Sequence, residues 1–366
     1  MGPRHSTTAL FGAAVALHTG ERPHQALAAY RKIIRLEPRH VDAHLNLGIL
    51  QTQLGKLEEA EATLRRALTL ATGSPAVRQS LALALMGQGQ YQEGWAFYEA
   101  RDEIPALASP LAAGFPFPRW RGEDLAGKRI AILPEHGFGD QIQFARFIPR
   151  LQALGAEVTL LTRQPLVSLF AESFPGVSVI AAVGSVEFPD PDVWTIFGAL
   201  VGELGVTLES LPSEPYLKTP ARWPPLPPGF KIGLQTKGNP KLKNDLHRSL
   251  SPQVADRLRA SLPGQVISLD PADSGAQDFA ETAALIQQLD LVVSVDTSVA
   301  HLAGSLGRPG FVLLPAFGTD WRWLRDRQDS PWYPSLRLYR RDKLDVDWMP
   351  TIERVVRDAQ AMASGR

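Results

Sequence analysis

Ser294-Val295-Asp296-Thr297-Ser298-Val299-Ala300-His301-Leu302-Ala303-Gly304 stands directly behind the apolar run Leu291 to Val293. A short apolar run that ends in polar residues and passes into an Ala-rich stretch reads as a buried strand entering a helix N-terminus. Unpaired backbone N–H groups at such a terminus, with the hydroxyls of Thr297 and Ser298, suit a diphosphate, and His301 on the first turn adds a donor. The same residues equally suit an N-capped core helix with a satisfied histidine, and the stretch alone leaves both readings open.

Outward from this unit, apolar runs alternate with helical stretches. Lys231-Ile232-Gly233-Leu234 and Val266-Ile267-Ser268-Leu269 precede it, and Phe311-Val312-Leu313-Leu314 follows. An earlier set comprises Arg129-Ile130-Ala131-Ile132-Leu133, Val158 to Leu161, Val177 to Ile180 and Val193 to Ile196. Helices are expected from Asp140 to Leu154 and near Pro165 to Glu172. This alternation predicts two parallel sheets. Pro220, Pro224, Pro225, Pro227 and Pro228 crowd the join, as at an interdomain hinge. Two doubly wound halves leave a ligand crevice at the carboxyl ends of their strands.

The front of the chain follows another rule. Laid on itself at an offset of about 34 residues, the sequence aligns Ala13, Leu47 and Leu81, then Ala14, Gly48 and Ala82. Ala26, Ala60 and Gly94 share a column, as do Tyr30, Leu64 and Tyr98, while Gly55 and Gly89 fall in a turn column where the first copy has Glu21. Such a period, with small residues where two helices cross, predicts about three tetratricopeptide (TPR) hairpins. Stacked hairpins form a concave groove that can seat a peptide, or act only as a structural or oligomerisation surface. After Arg101, residues Pro105, Pro110, Pro116 and Pro118 end the helical pattern and mark a linker.

Composition excludes several classes. Lys plus Arg and Asp plus Glu both number 38, so the net charge is zero and no bulk attraction to nucleic acid or anionic membrane is expected. With no cysteine, disulfides, thiolate nucleophiles and cysteine metal sites are absent. No apolar stretch reaches the ~20 residues of a membrane span. Leu10 to Leu17 reads as half of a hairpin rather than a signal peptide, so a soluble, cytoplasmic protein is expected.

Four further segments bear on chemistry. Glu135-His136-Gly137-Phe138-Gly139-Asp140 follows the first strand and opens a helix. Gly137 and Gly139 permit positive φ and close backbone approach, and Asp140 is either a general base or simply a cap. Lys237, Lys241, Lys243, His247 and Arg248 share one loop, which either neutralises phosphate or is a solvated surface. Asp320-Trp321-Arg322-Trp323-Leu324 and Ser330-Pro331-Trp332-Tyr333-Pro334 could stack a base or sugar, with packing against the crevice wall the favoured reading. There is no HExxH, no dense Asp/His cluster and no G-x-S-x-G elbow, so neither a metal site nor a serine hydrolase is expected. G-x-G-D is not the dinucleotide fingerprint, which argues against NAD.

Gly139-Asp140-Gln141-Ile142-Gln143-Phe144-Ala145-Arg146, with Val295-Asp296-Thr297, His301-Leu302-Ala303-Gly304 and Asp320-Trp321-Arg322-Trp323, resembles the bacterial TPR-containing glycosyltransferases. Their catalytic half is similar to the heptosyltransferase group, glycosyltransferase family 9, and more remotely to O-GlcNAc transferases. The resemblance runs over essentially the whole chain. It departs from the common pattern at His136, at Gln235-Thr236-Lys237-Gly238-Asn239 and at Leu269-Asp270-Pro271. It implies an α plus α/β fold, a TPR array followed by a GT-B unit of two Rossmann-like domains. It also implies an inverting, metal-independent transferase with a nucleotide-sugar as donor substrate and no cofactor. Asp140 would be the base. Asp296, Thr297 and His301 would hold the donor phosphates, and with the segments above Gly137, Gly139, Thr236, Lys237, Arg248 and Ser298 are expected to bind substrate or donor.

The expected boundaries are repeats over 1–105, a linker over 106–127, an acceptor-side domain over 128–222, a nucleotide-sugar domain over 223–345 and a C-terminal helix over 346–366. Because a peptide groove is fused to the transferase, the leading expectation is transfer to a protein or peptide, with a flagellin-like partner suggested by related enzymes. The alternatives are a saccharide or lipopolysaccharide transferase and a non-catalytic TPR adaptor with a vestigial GT-B half.

Overall fold

The computed structural model describes residues 7–107, 114–134, 137–184, 186–219, 223–241, 245–344 and 347–365. Glu135, His136, Lys243, Pro110 and Pro220 of the sequence expectations lie outside the described residues. The chain forms two compact units. One comprises 1–108 with 317–326, and the other 109–316 with 327–366.

The first unit is three helical hairpins: α1 (Thr7–Thr19) with α2 (Pro23–Leu36), α3 (Val41–Gln53) with α4 (Leu57–Leu70), and α5 (Pro75–Gly87) with α6 (Tyr91–Tyr98). Pro23 and Pro75 open α2 and α5, where a missing N–H breaks no helical bond. Ser74 caps α5 by accepting the Val77 N–H at 3.4 Å. The turn column is left-handed in all three copies, with φ of +67° at Gly55, +80° at Gly89 and +57° at Glu21. Glycine takes that conformation freely, whereas at Glu21 it costs roughly 1–2 kcal/mol. The small-residue column is equally concrete, because a Cβ on Gly48 would overlap the Leu64 side chain across the α3–α4 crossing. Ala14, Ala26, Tyr30, Leu47 and Leu50 form one buried cluster, and Ala60, Leu64, Leu81 and Leu85 form a second.

Residues 317–326 also belong to this unit. Phe317 packs on the Ala14–Leu50 cluster, and the Gly318 N–H donates to the Gln53 carbonyl at 2.8 Å. Trp321 meets Tyr91 and Trp95 edge-on, with centroids 5.9 and 5.6 Å apart and both interplanar angles 89°. Leu324 and Asp326 have φ of +51° and +54°. Two strained non-glycine residues together mark a segment held by its packing. Asp320 to Leu324, expected against a crevice wall, thus groups with the repeats, where Trp321 lies against Tyr91 and Trp95.

The second unit holds two parallel sheets. The first has the order β3 (Ser178–Ala181), β2 (Glu157–Thr162), β1 (Arg129–Leu133), β4 (Val193–Ile196). Trp120 and Trp194 exchange backbone bonds with their neighbours, Trp120 N–H to Trp194 carbonyl at 2.8 Å and Trp194 N–H to Pro118 carbonyl at 3.1 Å, so the preceding chain extends the β4 edge. Between strands run α7 (Phe138–Phe144), α8 (Ile148–Ala153), α9 (Val167–Ser173) and the single turn α10 (Leu200–Glu203). The single helix expected over Asp140 to Leu154 is broken by a 3₁₀ turn at Ala145–Phe147. Pro149, in the first turn of α8, has no N–H to continue the ladder from α7.

The second sheet has the order β6 (Gln265–Ser268), β5 (Lys231–Gln235), β7 (Leu291–Val295), β8 (Gly310–Leu314), β9 (Leu336–Arg340). Its helices are the short α11 (Asp245–Arg248), α12 (Pro252–Ser261), the short α13 (Pro271–Ser274), α14 (Phe279–Gln287), α15 (Ser298–Ser305) and α16 (Met349–Ser364). Ile232, Leu234, Leu291, Val293, Leu313, Ile352 and Val355 form the core between strands and α12 and α16. The Pro-rich join is pinned by Gln288, whose Nε2 donates to the carbonyls of Trp223 and Pro224 at 3.3 and 3.2 Å and whose Oε1 accepts the Leu226 N–H at 2.9 Å. Among the described residues no helix is long and apolar enough to cross a membrane.

Candidate functional site

Strand order locates the crevice. In the second sheet β5 has β6 on one side and β7 on the other, so the chain reverses direction between β5 and β7. The loops leaving those two strands therefore diverge and open a cleft at their carboxyl ends. Thr236 and Lys237 follow β5, and Asp296, Thr297 and Ser298 follow β7. In the first sheet the reversal lies between β1 and β4, and the loop after β1 enters α7 at Gly137.

The N-terminus of α7 meets that of α15. A Cβ on Gly139 would lie 2.8 Å from Cδ2 and 3.4 Å from Nε2 of His301, and 3.6 Å from the Ser298 Cα. Only glycine permits that approach. Gly137 has φ of −85°, and neither Gly137 nor Gly139 has positive φ, so the expectation that positive φ is used here is corrected: close approach at Gly139 is the steric requirement. Asp140 is partly buried, and its Oδ2 accepts the Gly137 N–H at 3.0 Å. That bond caps α7 and also fixes the carboxylate at the crevice.

α15 starts at Ser298, with Thr297 as a cap whose side chain accepts no helix N–H. The Thr297 hydroxyl instead lies 3.2 Å from that of Ser294. The backbone N–H groups of Ser298 and Val299 have no acceptor among the described residues, which is the donor pair an anion at a helix N-terminus uses.

Arg248 anchors the described end of the basic loop. Its Nε donates to Asp245 Oδ1 at 2.9 Å and its Nη1 to the Asp296 carbonyl at 3.0 Å. Asp245 Oδ2 accepts from Ser249 Oγ at 2.8 Å, and that hydroxyl accepts the Gly238 N–H at 2.8 Å. Arg248 thus ties the β5 loop to the end of β7. Lys237 is exposed, and Thr236 is held through its carbonyl to the Leu250 N–H at 2.9 Å.

Behind His301 lies a buried polar layer that the sequence reading did not identify. His301 Nδ1 is 3.0 Å from the Tyr333 hydroxyl. Burial pushes that hydroxyl well above the usual phenol range, and neighbouring Tyr216 adds to the effect. Arg146, 4% exposed, donates to the carbonyls of Gln143, Pro212 and Trp332 at 3.0, 2.7 and 2.8 Å. Its guanidinium lies 5.0, 5.0 and 4.7 Å from the ring centroids of Tyr216, Trp332 and Tyr333. Trp332 and Tyr333 therefore close the back of the crevice. Among the described residues no group of three or more His, Cys, Asp or Glu is placed to hold a metal ion.

Comparison with known proteins agrees with this division. Residues 11–75 match the tetratricopeptide repeat family, and residues 255–314 match glycosyltransferase family 9 (heptosyltransferase). Protein FlbA of Caulobacter vibrioides is 31% identical over an alignment 366 positions long, covering 86% of this chain and 60% of that protein. The chain thus spans less than two thirds of that relative's length. Among solved structures, the glycosyltransferase TibC of enterotoxigenic E. coli is 15% identical over 66% of this chain and 76% of that one, with a TM-score of 0.41. An O-GlcNAc transferase mutant from Thermobaculum terrenum is 14% identical over 100% of this chain and 94% of that one, with a TM-score of 0.29.

Proposed function

We propose that this chain, which carries tetratricopeptide repeats and a glycosyltransferase family 9 domain, moves a sugar from a nucleotide-sugar to a protein or peptide acceptor. The observation that carries the reading is the meeting of the α7 and α15 N-termini, with His301 and Ser298 against Gly139. One terminus offers a fixed carboxylate and the other offers unpaired N–H groups, which is the division of labour an inverting transfer needs.

In the proposed reaction Asp140 takes the proton of the acceptor hydroxyl. The hydroxyl oxygen attacks the anomeric carbon from the face opposite the diphosphate. The bond from that carbon to the phosphate oxygen breaks, and the electron pair leaves with the nucleotide. The N–H groups of Ser298 and Val299, the hydroxyls of Thr297 and Ser298, His301 and Lys237 stabilise the departing charge. Arg248 and the Asp296 backbone hold the two sides of that pocket together. No metal enters the scheme, in line with the resemblance to metal-independent transferases. The reaction is placed in the cytoplasm, where nucleotide-sugars are made.

The test is transfer by the full chain from a panel of nucleotide-sugars to flagellin and, in parallel, to lipopolysaccharide core. The expected result is a mass gain of one sugar on the protein. Transfer only to the saccharide overturns the protein acceptor, and transfer to neither overturns the activity. Deleting the repeats cannot separate these readings, because Trp321 would lose Tyr91 and Trp95.

A further inference from the structure

His301 can offer a phosphate either a proton or a lone pair, depending on which ring nitrogen is protonated. An Nε2 lone pair would repel the anion that the proposed donor pocket must hold, so something has to select the tautomer.

The buried layer behind the ring supplies that selection. His301 is 4% and Tyr333 1% exposed, so water does not exchange the bond between Nδ1 and the phenol. The Tyr333 ring is fixed as well: it stands at 62° to the imidazole, lies under the Arg146 guanidinium and fills the space that a Cβ on Gly304 would enter. Tyr216 commits its own proton to the Ile142 carbonyl at 2.7 Å. Ser305 Oγ lies 2.7 Å from the Tyr216 hydroxyl and 2.6 Å from the His301 carbonyl and also bonds to Tyr333, where it can only donate to the phenol oxygen if Tyr333 gives its proton to His301. The Tyr333 proton then has the imidazole nitrogen as its most basic neighbour, and a phenol bonds more strongly to a basic nitrogen than to another phenol oxygen. Burial keeps Tyr333 protonated, so it has a proton to donate.

We propose that Tyr333 is a positioning residue for the donor phosphates: its hydroxyl donates to Nδ1 of His301 and so places the imidazole proton on Nε2, the nitrogen beside Gly139 and the start of α7. The proposal rests on the donor-pocket reading given above and adds the group that makes His301 a donor there. Neither residue announces this in the sequence, since they are 32 positions apart and lie on different elements.

The test is nitrogen NMR of the full chain labelled in its histidine rings, which number 8. His301→Asn identifies the signal. In the wild-type protein without ligand, His301 is expected as the neutral Nε2–H tautomer, and in Tyr333→Phe the Nδ1–H form is expected to rise. Tyr333→Phe keeps the ring under Arg146, and its affinity for inorganic pyrophosphate should fall about tenfold, the loss of one hydrogen bond's orienting effect. An Nδ1–H tautomer in the wild-type protein overturns the proposal without reference to any variant. Unchanged tautomer or unchanged pyrophosphate affinity in Tyr333→Phe also overturns it. A wild-type protein that shows the Nε2–H tautomer but binds no pyrophosphate overturns the donor-pocket reading instead, and the phosphate role of Tyr333 falls with it.

Discussion

Asp140→Asn is expected to lower turnover by roughly 10²- to 10⁴-fold, the usual contribution of a positioned general base. Two roles meet in this carboxylate, and this substitution separates them. Its Oδ2 caps α7 by accepting the Gly137 N–H at 3.0 Å. An asparagine amide oxygen can accept the same bond, so the helix N-terminus and its approach to α15 survive. What asparagine cannot do is take the proton from an acceptor hydroxyl. The variant should therefore fold, bind nucleotide with wild-type affinity and fail to transfer. Asp140→Ala loses both roles and should also be less stable by about 0.5–2 kcal/mol, the range for a lost cap. Single-turnover transfer and thermal melts of both variants check this. Wild-type turnover in Asp140→Asn would leave Asp140 with the cap alone.

Trp321→Ala should destabilise the repeat unit by roughly 3–5 kcal/mol, the usual range for emptying a buried tryptophan site. Trp321 is 8% exposed and stands edge-on to both Tyr91 and Trp95, while Trp95 stands edge-on to Tyr98 at 4.7 Å. Removing it leaves a cavity on α5 and α6 and breaks two aromatic pairs, each of which adds about 0.5–1.5 kcal/mol beyond area alone. The strained backbone at Leu324 and Asp326 would also lose the packing that sustains it. Calorimetry of the full chain should show the repeat transition moved down by more than about 10 °C, at 4–8 °C per kcal/mol for a unit of this size. A shift of only a degree or two would mean that 317–326 rests on the repeats without supporting them.

These two residues also show what was legible in the chain and what was not. The repeats were readable because each crossing is local: Gly48 meets Leu64, and Glu21, Gly55 and Gly89 repeat one left-handed turn. The strands from Arg129 and Leu291 were readable because a strand buried on both faces is a continuous apolar run. β9 was missed because Leu336, Leu338 and Tyr339 are interrupted by exposed Arg337. That Leu-Arg-Leu alternation is the pattern of a sheet edge with one wet face. The long helix expected after Asp140 overlooked Pro149. The aromatic segments looked like one cluster because they are neighbours in sequence. In the fold Trp321 goes to the repeats, whereas Trp332 and Tyr333 enclose Arg146. Pairings such as His301 with Tyr333, or Arg248 with the Asp296 carbonyl, depend on how separate elements pack, and no local spacing encodes them.

The proposed function stands or falls with a nucleotide-sugar donor site in the crevice between α7 and α15. Its most direct measurement is a thermal-shift titration of the full chain with nucleoside diphosphates and their sugars, repeated with His301→Ala. A ligand present at 100 times its Kd should add about 2.7 kcal/mol of stability. Such a shift is expected with one nucleotide, and it is expected to vanish in His301→Ala. No shift with any of them, or a shift that survives intact in His301→Ala, would contradict it.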